Sequence, residues 1–244
     1  MHVAEGPDAS SEAEFTFLQS QSLLNPKGVL IHGIPLVPAD FRAMASAGTA
    51  LVWSPRSNIE LYGATADVGA ALDAGVEVAL APDWAVTGSG TMLDELKTAD
   101  AWDRQHLQGR LTPRQLLDMV TSVPARAAGI DDEVGALRAG LRADLVVLRG
   151  DANDPYGSVL RAGPREVQLV VIDGVPLYGD ASLMRKFWAA ADLERIDVAN
   201  AAKAVAIPAA GVTVAGLVSE LGPALVAEGT SLAPLGGIDP PEPE

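Results

Sequence analysis

Short apolar runs at residues 28–32, 49–53 and 76–81 alternate with helical segments in the first half of this chain. Capping residues and glycine stops predict the helices at residues 38–48, 67–74 and 91–106. Continuous apolar strands that alternate with helices are typical of a parallel sheet covered on both faces, so the class is α/β. A barrel and a doubly wound sheet both fit. No glycine-rich phosphate loop follows any strand, which weakens a nucleotide-binding interpretation.

The second half of the chain changes character. One helix is predicted at residues 112–128, and short β runs follow at 143–149 and 167–172, the second leading into the hairpin turn Asp173-Gly174. Residues 181–206 are mixed, 213–227 favour a helix, and the Pro- and Glu-rich end is typical of a disordered acidic tail. We therefore expect an α/β segment that carries the candidate site at 1–130, a β-sandwich segment at 131–207, and a C-terminal helix with a disordered acidic tail at 208–244.

Composition excludes several function classes. The formal net charge is −15 and the pI about 4.5, which argues against nucleic acid and against anionic membrane surfaces as partners. The chain has no cysteine, so disulfides and thiolate zinc sites are excluded and a cytoplasmic location is the simplest expectation. No apolar stretch approaches the roughly 18 residues expected of a membrane span, and the N-terminus shows no signal peptide.

Metal-ligating side chains follow the predicted strands. His2 and His32 lie at or near the ends of apolar runs, and Asp83 follows residues 76–81. The carboxyl ends of parallel strands in a barrel line one active face, so two imidazoles and a carboxylate would meet there and suit zinc. Glu5 lies beside this set and is able to move protons. Taken singly, each of the two histidines could be a buried structural side chain, and Asp83 could be a turn residue or a helix cap. His106, late in a predicted polar helix, is interpreted as a surface residue.

Four ordered motifs resemble the amidohydrolase superfamily, in its branch of deaminases and triazine chlorohydrolases. The resemblance covers residues 1 to about 207. It involves His2-Val3-Ala4-Glu5 as an H-x-x-E motif, Ile31-His32-Gly33, the P-R-S-N segment at residues 55–58, and Asp83. The resemblance implies that His2 and Asp83 ligate a divalent metal, zinc first and iron second. It implies that Glu5, His32 and Asp83 are catalytic, and that His32, Arg56, Asn58 and Trp84 contact a small-molecule substrate, with Tyr62 a further pocket residue.

The resemblance also implies the fold and the reaction. The chain would supply strands five to eight of a (β/α)₈ barrel and the C-terminal part of a small β-sandwich, since residues 135–147 resemble the family's return into that module. The reaction would be hydrolysis of a non-peptide carbon–nitrogen bond by a metal-activated water.

One departure from the family pattern limits this expectation. The family's first strand carries an H-x-H pair that binds the metal, and this sequence contains no H-x-H. We therefore expect the chain alone to be inactive or nearly so. Three explanations stay open: a truncated gene or misassigned start, one of two separately encoded halves, or a degenerate enzyme. A missing N-terminal half or a homo-oligomer would complete the barrel.

Two alternative functions also remain. A non-catalytic interaction protein could be built on a barrel remnant, in which case Glu5→Gln would change nothing measurable. A dipeptidase-like or imidazolone-type hydrolase would use the same barrel, although a glutamate after the first histidine favours the deaminase-like branch.

Overall fold

The computed structural model describes residues 1–229. The chain divides into two compact units, Met1–Leu141 and a second unit that begins at Arg142. The acidic tail predicted from the proline- and glutamate-rich end lies outside the described residues. Within the described part of the chain, no helix is both long and apolar enough to cross a membrane.

The first unit alternates strands with helices, as the sequence predicts. Its strands are β1 (His2–Val3), β2 (Val29–His32), β3 (Ala50–Trp53) and β4 (Val78–Leu80). Its helices are α1 (Ala9–Ser20), α2 (Pro38–Ala47), α3 (Pro55–Tyr62), α4 (Val68–Ala74), α5 (Met92–His106), α6 (Pro113–Asp118) and α7 (Ser122–Ala128).

The four strands form one parallel sheet in chain order, β1-β2-β3-β4. The register aligns His2 with Ile31, and Trp53 with Leu80. Among residues 1–229 this sheet does not close on itself, and β1 and β4 are its edges. The mixed α/β class is thus confirmed, and the carboxyl ends of all four strands lie along one edge of the sheet.

Local sequence signals explain where several helices begin and end. The side chain of Asp67 caps α4 by accepting from the Ala70 N–H, and Thr91 caps α5 in the same way. Helix α2 stops at Gly48, whose φ of 71° is costly for other residues. The starts of α4 and α5 and the end of α2 therefore follow from residue type.

The single helix predicted at residues 112–128 is wrong, because the structure has two helices, α6 and α7. Pro124 explains the break. A proline inside a continuous helix lacks the N–H that bonds the preceding turn and clashes with it, whereas a position in the first turn is tolerated. Helix α7 begins at Ser122, so Pro124 lies in its first turn.

The second unit contains a five-stranded antiparallel sheet in the order β5-β6-β7-β9-β8. Its strands are β5 (Leu145–Leu148), β6 (Val167–Ile172), β7 (Val175–Asp180), β8 (Leu193–Val198) and β9 (Ala201–Ala206). Its helices are α8 (Pro155–Arg161), α9 (Ala181–Met184), α10 (Ile207–Ala210) and α11 (Val214–Ala227), with 3-10 turns at Pro164–Glu166 and Ala190–Asp192. The segment described only as mixed, 181–206, therefore holds two paired strands.

A buried lysine stabilises this sheet. Lys203 is fully buried, and its ammonium donates to Arg165 O at 2.8 Å, Val167 O at 2.7 Å and Asp180 Oδ1 at 2.6 Å. Three acceptors match the three donors of an ammonium. The charge is therefore compensated, which is the condition under which a buried lysine is tolerated.

Candidate metal centre

Three side chains with metal-ligand chemistry converge at the carboxyl-end edge of the parallel sheet. His2 belongs to β1, His32 ends β2, and Asp83 lies three residues beyond β4. One ligand atom from each lies within 4.8 Å of the other two. The set offers two imidazole nitrogens and a carboxylate oxygen, which are donors that zinc accepts.

Two of these residues have a backbone conformation that is uncommon outside glycine. The φ angle is 82° at His32 and 60° at Asp83, both in the left-handed region. Such conformations cost free energy and cluster at functional sites. The chain therefore turns sharply at the ends of β2 and of the β4 segment, at the residues whose side chains meet.

The buried imidazole of His32 is held by a polar chain from β3 and α3. His32 is 1% exposed, and its Nδ1 lies 2.8 Å from Asn58 Oδ1. Asn58 in turn donates through Nδ2 to Thr65 Oγ1 at 3.1 Å, and Trp53 Nε1 donates to the same oxygen at 2.8 Å. Because an amide oxygen only accepts, Nδ1 of His32 carries the ring proton.

The other ring nitrogen of His32 faces the cluster. In a neutral ring with the proton on Nδ1, Nε2 has a free lone pair. This atom is buried and makes no hydrogen bond with residues 1–229. A buried polar atom without a partner is rare in folded proteins and points to a ligand, an ion or water. The residues present therefore fit a bound cation.

Glu5 lies beside the cluster rather than in it. Its Oε2 is 3.7 Å from His32 Nε2, and its Oε1 accepts from the Tyr62 hydroxyl at 3.0 Å. Burial, the hydrogen bond to Glu5 and the charges of Glu5 and Asp83 raise the pKa of Tyr62. One carboxylate is thus positioned against the buried imidazole, with 37% of its side chain exposed.

The residues predicted to contact substrate occupy different environments. Trp84 follows Asp83 and is 66% exposed. Arg56 lies half-buried in the first turn of α3. Asn58 is fully buried, and both ends of its amide are used within the protein. His106 is exposed and stacks on Trp102, with ring centroids 3.7 Å apart.

Sequence reasoning missed Glu95 as a member of the site's support. Glu95 is fully buried on α5, and its Oε1 accepts from the backbone N–H of Arg56 at 3.2 Å. Burial raises the pKa of Glu95. The Ser89 hydroxyl, the backbone N–H of Arg56 and the positive charge of Arg56 oppose that rise. The sequence feature that could have indicated its burial is the helical spacing, because Glu95, Ala99 and Asp103 recur every four residues on the buried face of α5.

The sequence profile of the amidohydrolase family matches residues 2–177. The chain belongs to the amidohydrolase family. The resemblance to the family stated from the four motifs is thereby confirmed.

Curated relatives of this chain include proteins named as deaminases. It is 32% identical over 170 residues to 5-methylthioadenosine/S-adenosylhomocysteine deaminase of Desulforudis audaxviator, covering 64% of this chain and 39% of the relative. It is 28% identical over 200 residues to 5'-deoxyadenosine deaminase of Methanothermobacter thermautotrophicus, covering 75% and 46%. The chain therefore spans less than half the length of these curated relatives.

Solved structures of zinc-containing amidohydrolases share the fold. An adenosine deaminase from Xanthomonas campestris with bound zinc gives a TM-score of 0.65 at 26% identity, over 72% of this chain and 44% of that one. Atrazine chlorohydrolase from Arthrobacter aurescens, complexed with zinc, gives 0.62 at 25% identity, over 72% and 43%. These neighbours bind zinc, which supports the expectation of a divalent metal.

Proposed function

We propose that this chain carries the site of a metal-dependent hydrolase that cleaves non-peptide carbon–nitrogen bonds, with amino-substituted purine nucleosides as the substrate class. The observation that carries the proposal is the convergence of His2, His32 and Asp83 within 4.8 Å at one sheet edge, with Glu5 alongside. The names of the deaminase relatives support the substrate class.

In this proposal His2 and Asp83 hold the cation, zinc in the first place and iron in the second. The nitrogen donor of His2 and the oxygen donor of Asp83, which lie within 4.8 Å of each other, support that assignment. When bound, such a cation lowers the pKa of water toward neutrality.

The protein's own groups would manage protons and orientation. Glu5 accepts a proton from the attacking water and delivers it to the departing nitrogen, and Asp83 shares that proton handling. His32 orients the reactants through the lone pair on Nε2, because Asn58 keeps the proton on Nδ1. Asn58 itself is better suited to positioning His32 than to contacting substrate, since it is fully buried.

Arg56 and Trp84 remain the proposed substrate contacts. Trp84 presents a large exposed ring directly after Asp83, and aromatic faces stack on heterocyclic bases. Arg56 supplies a positive charge in a chain of net charge −15. Both residues lie in loops or helix starts at the carboxyl-end edge, where a substrate reaches the cluster.

We further propose that the first unit corresponds to strands five to eight of a (β/α)₈ barrel and the second to part of a β-sandwich. The consecutive parallel order of β1 to β4 and the solved neighbours, of which the chain covers 43–44%, support this. Because the sequence has no H-x-H, we propose that the chain alone turns over substrate slowly or not at all.

Ammonia release tests the function. Purified zinc-supplemented chain is assayed with 5'-methylthioadenosine, S-adenosylhomocysteine and 5'-deoxyadenosine, next to Glu5→Gln and the control Glu77→Gln. Any release by the wild-type chain should disappear in Glu5→Gln and persist in Glu77→Gln, a glutamate paired with Arg126 at the opposite end of β4. Robust turnover would contradict the proposed inactivity of the isolated chain. Release that survives Glu5→Gln would contradict the proposed site.

A non-catalytic interaction protein is the second candidate, and the missing H-x-H pair favours it. In that case the chain would neither bind zinc nor release ammonia, and Glu5→Gln would leave every measured property unchanged. Zinc binding that depends on Asp83 would exclude this candidate.

A further inference from the structure

Helix α3 presents two polar side chains to the cluster from a single face. Asn58 and Tyr62 are four residues apart, so they lie one turn apart on the same side of the helix. Asn58 holds His32 through Nδ1, and Tyr62 donates its hydroxyl hydrogen to Glu5 Oε1. One rigid element therefore contacts both the buried imidazole and the neighbouring carboxylate.

Among residues 1–229, the Tyr62 hydroxyl is the hydrogen-bond partner that orders the Glu5 side chain. Glu5 follows Ala4, whose φ is 56°, in the turn between β1 and α1, and its side chain is 37% exposed. A half-exposed glutamate retains most of its rotamer freedom unless a partner orders it. The Tyr62 hydroxyl takes one carboxylate oxygen at 3.0 Å and leaves the other, Oε2, 3.7 Å from His32 Nε2.

The geometry points to Tyr62 as a positioning residue that holds Glu5 against His32. Its role in catalysis rests on the proposed function, whereas the contact itself does not. A hydrogen bond to an ionised carboxylate is stronger than one between neutral groups, so this contact is able to select one Glu5 rotamer.

Helix α3 is itself held firmly enough to serve as the support. Pro55 starts it at the first helical position, and Gly63 ends it in a left-handed conformation. Glu95 accepts from the Arg56 N–H within its first turn. The position of the Tyr62 hydroxyl is therefore set by the packing of α3 within the first unit rather than by its contact with Glu5.

Carbon-13 NMR of the full chain tests the contact. The chain has three tyrosines, Tyr62, Tyr156 and Tyr178, so labelling at Cζ gives three signals, and Tyr62→Phe assigns one of them. In Glu5→Gln the Tyr62 signal should shift by more than the other two, because a neutral amide is a weaker acceptor. A Tyr62 signal that moves no more than those of Tyr156 and Tyr178 would overturn the proposal.

Kinetics separates this proposal from the proposed function. Tyr62→Phe should retain zinc binding and KM and lower any Glu5-dependent kcat by about tenfold, because misplacement of a catalytic group costs rate rather than binding. A parallel fall in zinc binding and kcat would indicate a structural role and contradict positioning. A Glu5-dependent Tyr62 shift together with ammonia release that survives Glu5→Gln would refute the proposed function and leave the contact standing.

Discussion

Replacing Asn58 by leucine tests the polar chain that orients His32. The change removes an acceptor 2.8 Å from His32 Nδ1 and a donor 3.1 Å from Thr65 Oγ1, at a position with no exposure. His32 is 1% exposed, so its Nδ1–H would lose its acceptor without gaining water. A buried donor left unsatisfied costs about 1–3 kcal/mol.

Loss of the hydrogen bond from Asn58 to Thr65 adds little to the cost of the unsatisfied His32 donor. Thr65 is half-buried and still accepts from Trp53 Nε1 at 2.8 Å, so its oxygen keeps a partner. We therefore expect the free energy of unfolding to fall by about 2 kcal/mol in Asn58→Leu. Urea denaturation followed by tryptophan fluorescence measures it, and Asn153→Leu, at an exposed position, should change it by less than about 0.5 kcal/mol.

Nitrogen-15 NMR of the three histidines tests the hydrogen bond between His32 and Asn58 independently, because it reports which ring nitrogen carries the proton. In the wild-type protein His32 should show the proton on Nδ1, and in Asn58→Leu that preference should be lost. A stability change no larger than that of Asn153→Leu, or a wild-type His32 protonated on Nε2, would refute the reasoning.

Three further predictions use the pKa shifts and the buried lysine. Glu5→Gln should lower the pKa of Tyr62 but leave it above the ordinary value, because burial is the largest cause of its rise; ultraviolet titration measures this. Glu95 has a raised pKa, so its ionisation destabilises the fold as pH rises from the ordinary glutamate range through the raised value. Glu95→Gln should therefore gain stability relative to wild type as the pH rises above the ordinary glutamate range, measured by urea denaturation. Lys203→Met should lower the free energy of unfolding by about 3 kcal/mol, because Asp180 loses its buried partner.

Each of these has a clear contradicting result. An unchanged Tyr62 pKa in Glu5→Gln would mean that the two groups do not interact. A stability difference between Glu95→Gln and wild type that does not change with pH would mean that Glu95 titrates normally. A Lys203→Met protein as stable as wild type would mean that the three-acceptor arrangement contributes nothing.

The alternation of β2, β3 and β4 with helices in the first unit was predictable because its signals are local. Apolar runs mark β2, β3 and β4, and glycines such as Gly48 and Gly75 stop the helices between them. Helix α1 and helix α3 were missed. In α3 the polar P-R-S-N segment resembled a pocket loop, although Pro55 at the first helical position is itself a helix start.

The hairpin of β8 and β9 was not predicted for a different reason. Its turn places Ala199 and Asn200 at φ of 51° and 58°. Alanine is an unusual residue at positive φ, so the sequence lacks the glycine signal that marked Asp173-Gly174. Tertiary pairing of the two strands decides this turn, and local residue preference does not reveal it.

The residues of the cluster, His2, His32 and Asp83, were selected from strand ends and from the family resemblance, whereas the residues that support them were not predicted as such. A sequence does not reveal that Asn58 faces His32 or that Tyr62 reaches Glu5, because both contacts depend on how α3 packs against the sheet. Glu95 was not predicted as part of the site. Its burial follows from the face that α5 turns inward, which is a tertiary property.

Zinc titration of the full chain by isothermal calorimetry tests the central claim most directly. The account predicts one site per chain in the wild-type protein, lost in Asp83→Asn and in His2→Ala and retained in Asp131→Asn, an exposed aspartate of the same unit. Binding that Asp83→Asn and His2→Ala leave unchanged, or no zinc binding by the wild-type chain, would contradict the claim that these side chains form a metal centre.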